Sequence, residues 1–392
     1  MIYLDNAAST RPDDEVLAAM AETARAHYAN PAAAHAGGAA AARALGAARA
    51  EVAAALDVEA EEIVFTSGGT EADALGLLGA ARAARGRHLV VGALEHPAVM
   101  RAVEALGSGG YTFDVIAPAP NGVLRAEDVA AAVRPDTAVV AVMLVQNELG
   151  TLQPVAEIAR RLGAGPRRPH LHVDAVQGFG FLRLRPRTLG ADTIALSAHK
   201  LHGPRGAGAL WVRPGARLEP LWVGGGQERG LRGGTENLPA LVGFARAVAL
   251  ARRALEGGAD ARVADLRDRL EVAAIAALAP IVPGVRPTVS GAPRAPHIAS
   301  LAFPGLPAEP LLHALEARGV FASAGSACAS RTAGPSPTLK AIGLDDRTGV
   351  LRLSLSRETI AADVDGAVAA LVAAARELGG GAQPLAKRPA HG

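Results

Sequence analysis

The sequence predicts an α/β fold: a large unit with a mostly parallel sheet, followed by a smaller α+β unit. Three observations carry this. Short β-branched or apolar runs alternate with Ala/Leu/Arg helical stretches up to about residue 238. Most of those runs are solidly apolar, as strands covered on both faces are. Beyond that point the alternation stops and long helices with isolated strands take over.

In order, the strand-like runs are EIVFT (62–66), HLVVGAL (88–94), FDVIAPA (113–119), TAVVAVMLV (137–145), HLHVDAV (170–176), TIALSAH (193–199) and AGALWV (207–212). Helical patterns such as 72–85 and 154–163 lie between several of them, the order of βαβ units with helices on both faces. A long helix follows over 238–256, then an Arg/Asp-rich helix over 260–279 and a Pro/Gly-rich stretch over 280–296. A strand (297–303), a helix (308–318), a Ser/Gly/Ala loop (322–337), a strand (350–356) and a last helix (361–378) complete the second unit. The expected boundaries are 12–256 for the large unit, and 1–11 with 257–378 for the small one. The patternless tail, 379–392, is expected to be disordered.

With 392 residues, half of them apolar and 20% charged, the chain has material for two or three domains and is not a disordered one. Charged residues interrupt every apolar run short of the roughly 20 residues that a membrane span needs. No basic segment leads into an apolar one near residue 1, so no membrane and a cytoplasmic location are expected. Basic residues are scattered, the net charge is +2 and aromatics are 3%, which offers nothing to nucleic acid. One cysteine, Cys328, excludes an internal disulfide framework and a zinc site of several thiolates. Among 40 basic residues only Lys200, Lys340 and Lys387 are lysine. In a chain that otherwise uses Arg, a lysine suits a place where an amine must lose its proton and form an imine.

Ligands of such sheets bind at the carboxyl ends of strands. Lys200, in LSAHKLHGPRGAGAL (196–210), stands at one such end; partial removal from water makes it an imine former, and Ser197 and His199 beside it suit a phosphate. A solvated loop lysine is the ordinary alternative. In EIVFTSGGTEADALG (62–76), a strand runs through Ser67, Gly68, Gly69 and Thr70 into a helix, whose N-terminal N–H groups favour an anion. A plain turn with a Thr cap reads the same way. Asp174, at the end of another strand, suits a protonated ring nitrogen; a helix cap is the commoner alternative. His96, before Pro97, suits stacking on a flat ring or moving protons; a structural histidine is the alternative. Together these are the parts that hold pyridoxal 5′-phosphate.

The chain resembles the fold-type I pyridoxal-phosphate enzymes of the class V aminotransferase group, and within it the cysteine desulfurases that supply sulfur for iron–sulfur clusters. The resemblance runs from YLDNAAST (3–10) and NPAAAHAGG (30–38) through FTSGGTEAD, EHPAV, QNELGTLQP (146–154), HVDAVQ and SAHKLHGPRG. It continues through GGGQERGLRGGTEN (224–237) and SAGSACAS (323–330) to LRLSLSRET (351–359).

That resemblance implies that Lys200 forms the covalent link to the cofactor and moves protons, and that Asp174 pairs with the ring nitrogen. Gln177 would bond the ring hydroxyl, and His96 would stack on the ring and assist as acid or base. Gly69, Thr70, Ser197 and His199 would hold the phosphate, and Thr235 would reach the phosphate of a neighbouring subunit in a homodimer. Asn147 and Arg352 would bind the carboxylate of L-cysteine. Cys328, in a loop of small residues, would take the sulfur as a persulfide, release alanine and pass the sulfur to an acceptor such as a cluster scaffold protein. A selenocysteine lyase, an aminotransferase and an idle assembly partner with this fold are the alternatives. The chain departs from the family pattern at Asp73 and Ala74, in a region where Asn is usual, and at Gln146, where the family carries Asn.

Overall fold

A computed structural model describes residues 1–163, 168–325, 336–345 and 347–379. The chain begins with β1 (Ile2–Tyr3), α1 (Asp14–Ala26) and α2 (Ala36–Leu56). Then come β2 (Ile63–Thr66), α3 (Gly69–Ala83), β3 (His88–Gly92), α4 (Pro97–Ser108), β4 (Thr112–Ile116) and α5 (Ala126–Ala131). The series continues with β5 (Thr137–Met143), α6 (Val155–Leu162), β6 (His170–Asp174), α7 (Pro186–Leu189), β7 (Thr193–Ser197) and β8 (Gly208–Val212).

β2 to β8 form one sheet in the order β2-β8-β7-β6-β5-β3-β4. Its pairs are parallel from β4 to β7, and β8 alone runs against both of its neighbours. The expected mostly parallel sheet is therefore present. Its strands are shorter than the apolar runs that announce them. The runs 88–94, 137–145, 170–176 and 193–199 extend past the ends of β3, β5, β6 and β7, because the turns beyond are themselves enclosed. β4 differs from the other strands: like β2 it is an edge strand, but β2 is buried along its length whereas Phe113 and Val115 of β4 are exposed.

After the sheet come α8 (Leu238–Glu256), α9 (Ala259–Leu278), β9 (Arg286–Pro287), β10 (Ile298–Pro304), α10 (Ala308–Glu316) and β11 (Val320–Phe321). The last described elements are α11 (Pro337–Ala341), β12 (Thr348–Ser354) and α12 (Ala361–Gly379). β12, β10 and β9 make a small antiparallel sheet, and β1 pairs in parallel with β11. Leu4 packs into an apolar cluster with residues of α9, β10, α10, β12 and α12. A separate, larger cluster lies around the central sheet, α2 and α8. Gly379, expected in the tail, closes α12. The rest of that tail, and Cys328 with most of its loop, lie outside the described residues. Among the described residues no helix is long and apolar enough to cross a membrane.

Candidate active site

The carboxyl ends of β2, β3, β5, β6 and β7 point the same way, and the turns after them surround a cavity of about 240 Å³. Ten of the twelve residues singled out above line it: Gly69 and Thr70 after β2, His96 after β3, Asn147 after β5, Asp174 and Gln177 on and after β6, Ser197, His199 and Lys200 at β7, and Arg352 from β12. Thr235 lies outside it, exposed in the loop before α8. Cys328 falls outside the described residues, but both approaches to its segment are fastened near the cavity. Ser323 exchanges both backbone hydrogen bonds with Arg352, and Ser336 donates to Glu148 at 2.9 Å.

Lys200 ends the short 3-10 turn after β7, and its Nζ donates to the carbonyls of Ala7 (2.6 Å) and Ala8 (2.9 Å). Gln177 Nε2 donates to the same Ala7 carbonyl at 2.7 Å. Its Oε1 lies 3.3 Å from His297 Nε2, and His297 stacks on Phe181. With Oε1 and one N–H engaged, the second N–H of Gln177 remains for a ligand. The two alanines escaped the sequence reading, since they act through backbone carbonyls; only the YLDNAAST segment marked them.

Asp174 is buried and accepts from the Val176 N–H at 2.9 Å. Burial pushes its carboxyl up from the usual range, while His96, that N–H and Lys200 hold it down. His96 caps α4 through Nδ1, which accepts from the Ala98 N–H at 3.1 Å, so the neutral ring carries its proton on Nε2. Burial lowers its pKa and Asp174 opposes that shift. His199 is lowered to about 4, mainly by burial and then by Lys200, Arg205 and His96, which makes it a neutral donor or acceptor.

Also on the cavity wall, Gly69 begins α3, and a Cβ there would stand 2.8 Å from Val176 Cγ2. Ser197 Oγ beside it is buried with no hydrogen-bond partner among the described residues. An unpartnered hydroxyl, a glycine that keeps space and the N-terminus of a fifteen-residue helix together fit a phosphate. Asp174 fits a ring N–H, and Lys200 an aldehyde. Pyridoxal 5′-phosphate therefore matches the donor set.

Arg352 is fully enclosed; it donates to the Asn147 carbonyl and to Asp5 Oδ1, each at 2.9 Å, and its Nε has no partner among the described residues. Such a fork suits a carboxylate. The departure at Gln146 is accommodated locally: its Oε1 accepts from the N–H groups of Glu148 (2.6 Å) and Leu149 (2.7 Å), holding the turn that presents Asn147. Asp73, the other departure, also lines the cavity.

The sequence matches the family model of aminotransferase class-V over residues 2–366. A cysteine desulfurase of Trichormus azollae is 38% identical, over 93% of this chain and 90% of that one. Cysteine desulfurase IscS 1 of Archaeoglobus fulgidus is 35% identical, over 93% of this chain and 94% of that one. A solved NifS-like protein superposes with a TM-score of 0.86 at 33% identity, covering 95% of this chain and 98% of the other.

Proposed function

The chain belongs to the class V aminotransferase family and, with its relatives, to the pyridoxal-phosphate-dependent cysteine desulfurases; on that footing we propose how its residues divide the work. The observation that carries the reading is the single cavity wall shared by Lys200, Asp174, His96 and Arg352. When bound, the cofactor supplies an aldehyde that takes up amines and a ring that withdraws electrons from the substrate Cα. Asp174 would hold the proton on the ring nitrogen, His96 would stack on the ring, and Gln177 would offer its second N–H to the ring hydroxyl. Gly69, Thr70, Ser197 and His199 hold the phosphate.

Arg352 and Asn147 fix the carboxylate of L-cysteine, which sets its Cα–H within reach of Lys200 Nζ, the base that removes and returns that proton. Cys328, as thiolate, attacks the substrate sulfur: an S–S bond forms while the Cβ–S bond breaks, its electron pair stays with Cβ, and Cβ takes up a proton. Alanine leaves and a persulfide remains on Cys328 for an acceptor, with a cluster scaffold protein as the expected partner. The anchoring of Ser323 on Arg352 and of Ser336 on Glu148 supports this, since it ties one approach to the Cys328 segment to a cavity residue and the other to the neighbour of Asn147.

We read 12–256 as the cofactor-holding unit and 1–11 with 257–378 as the smaller unit, a division supported by the packing of Leu4 among α9, β10 and α12. Thr235 is exposed while Arg232, in the same loop, bonds Glu71 of α3 at 2.9 Å, which supports its serving a partner's phosphate in a cytoplasmic homodimer. The test is sulfide and alanine release from L-cysteine by the cofactor-loaded protein and by Cys328→Ser under a mild reductant. Equal release from the parent and neither product from Cys328→Ser is expected. Undiminished sulfide from the variant would remove Cys328 from the reaction.

A further inference from the structure

β6 presents His170, His172 and Asp174 on one face, because alternate residues of a strand point the same way. α3 packs on that face, and Gly76 is what lets it: a Cβ there would stand 2.4 Å from His172 Nδ1. Asp73, on the same helix, is almost fully buried, and its Oδ1 lies 3.2 Å from His172 Nε2. His172 Nδ1 lies 2.9 Å from Thr193 Oγ1, and the same hydroxyl lies 2.8 Å from His170 Nε2. Thr193 can serve both histidines because it stands opposite His172 in the β6–β7 register. Three hydrogen bonds thus join Asp73, in the cofactor cavity, to His170, in the wall of a groove of about 1090 Å³ at the amino ends of the parallel strands.

We infer that Asp73, His172, Thr193 and His170 form a proton relay between these two spaces, which lets Asp73 exchange its proton without water entering the cavity. Asp73 is thereby a positioning residue: kept neutral, it leaves the negative charge that would serve the ring nitrogen on Asp174. This rests on the reading of Asp174 given above. The step balances. A proton passes from Asp73 Oδ1 to His172 Nε2, that on His172 Nδ1 passes to Thr193 Oγ1, and the hydroxyl proton passes to His170 Nε2. The proton on His170 Nδ1 leaves to the groove. Both rings end neutral with their tautomers exchanged, and Asp73 ends ionised.

The surrounding charges favour the neutral starting state. Asp73 faces Asp174 on β6 and Glu95 after β3, and burial together with these carboxylates raises its pKa well above the usual range. His170 and His172 are lowered to about 3, chiefly by burial; Arg168 and Arg213 add to this at His170 and are themselves paired with Asp192. Where the family carries Asn in this region, this chain has at Asp73 a group of nearly the same shape that can release a proton.

The test compares the cofactor-loaded protein with Asp73→Asn, Thr193→Val and Asp174→Asn by infrared and visible absorption. The infrared difference between parent and Asp73→Asn should show, at neutral pH, the C=O stretch of a protonated carboxyl. Its hydrogen–deuterium exchange should be several-fold slower in Thr193→Val, where the relay lacks its middle hydroxyl. The pH titration of the bound cofactor's visible band should stay unmoved in Asp73→Asn, whose amide is neutral like the protonated carboxyl it replaces. Absence of the protonated-carboxyl band, or equal exchange in Thr193→Val, overturns the relay. A titration moved by about one unit or more in Asp73→Asn would put a charge on Asp73 in the parent and overturns the positioning role. If Asp174→Asn keeps the parent's visible band and titration, the assignment of Asp174 itself fails, and the positioning role with it, whatever the infrared exchange shows.

Discussion

Two of the five N–H groups of Arg352 tie it to Asp5 and to the Asn147 carbonyl, so the direction of the others is set before any ligand arrives. Arg352→Lys exchanges this fork for a point charge on a flexible stem. With charge-assisted hydrogen bonds worth about 1.5–3 kcal/mol, KM for L-cysteine should rise by about tenfold to a hundredfold, with a smaller change in kcat; steady-state kinetics decide it. Lys200 and Asp174 stood out in the sequence because few side chains perform their chemistry and both stand at strand ends, whereas Arg352 came only from the family resemblance; all three line one cavity. Ala7 and Ala8 were not, because a carbonyl belongs to every residue. Asp73 was visible as a departure from the family pattern, but its meaning depends on His172, 99 positions away in the chain.

Elements were legible where their pattern was pure. β5 is buried along its whole length, as the unbroken run at 137–145 predicted, and α8 occupies the predicted 238–256. α2 carries little such signal: in AGGAAAARALGAARAEVAAAL small apolar residues occupy nearly every face, so the helical period is blurred, although Val52 and Leu56 are fully buried. Strand ends were overrun wherever the turn beyond was enclosed by the cavity. Close packing of α3 on β6 gives a prediction at this scale. Gly76→Ala would put its Cβ 2.4 Å from His172 Nδ1 and 2.5 Å from Cε1, both in a ring held on two sides. A loss of about 1–3 kcal/mol is expected from such overpacking, read as a lower urea midpoint with an unchanged slope.

For the molecule as a whole, buried titrating groups tie stability to pH, and Asp73 isolates one of them. Its folded pKa is raised, so between the unfolded value near 3.9 and the raised one the folded chain holds a proton that the unfolded chain has lost. Stability from this group is present at low pH and falls as pH rises through that window, by up to about 1.4 kcal/mol per unit. Asp73→Asn keeps the shape without the titration. The cofactor-free variant should match its parent near pH ~4 and become progressively more stable than it towards neutrality, as urea unfolding at several pH values would show. A gap that shrinks as pH rises would contradict the neutral state of Asp73.

The first ten residues give this architecture an order in time. They supply both carbonyls that hold Lys200, yet their own places are set by segments made much later. Ile2 and Tyr3 pair with Val320 and Phe321, Asp5 takes a hydrogen bond from Arg352, and Asn6 donates to the Ser354 carbonyl at 2.9 Å. As the chain leaves the ribosome, the central sheet has all its strands once residue 212 has emerged, while the opening segment lacks its strand partner until β11 and its bonds to Arg352 and Ser354 until β12. A nascent chain halted before that point carries the lysine but not the frame that aims it.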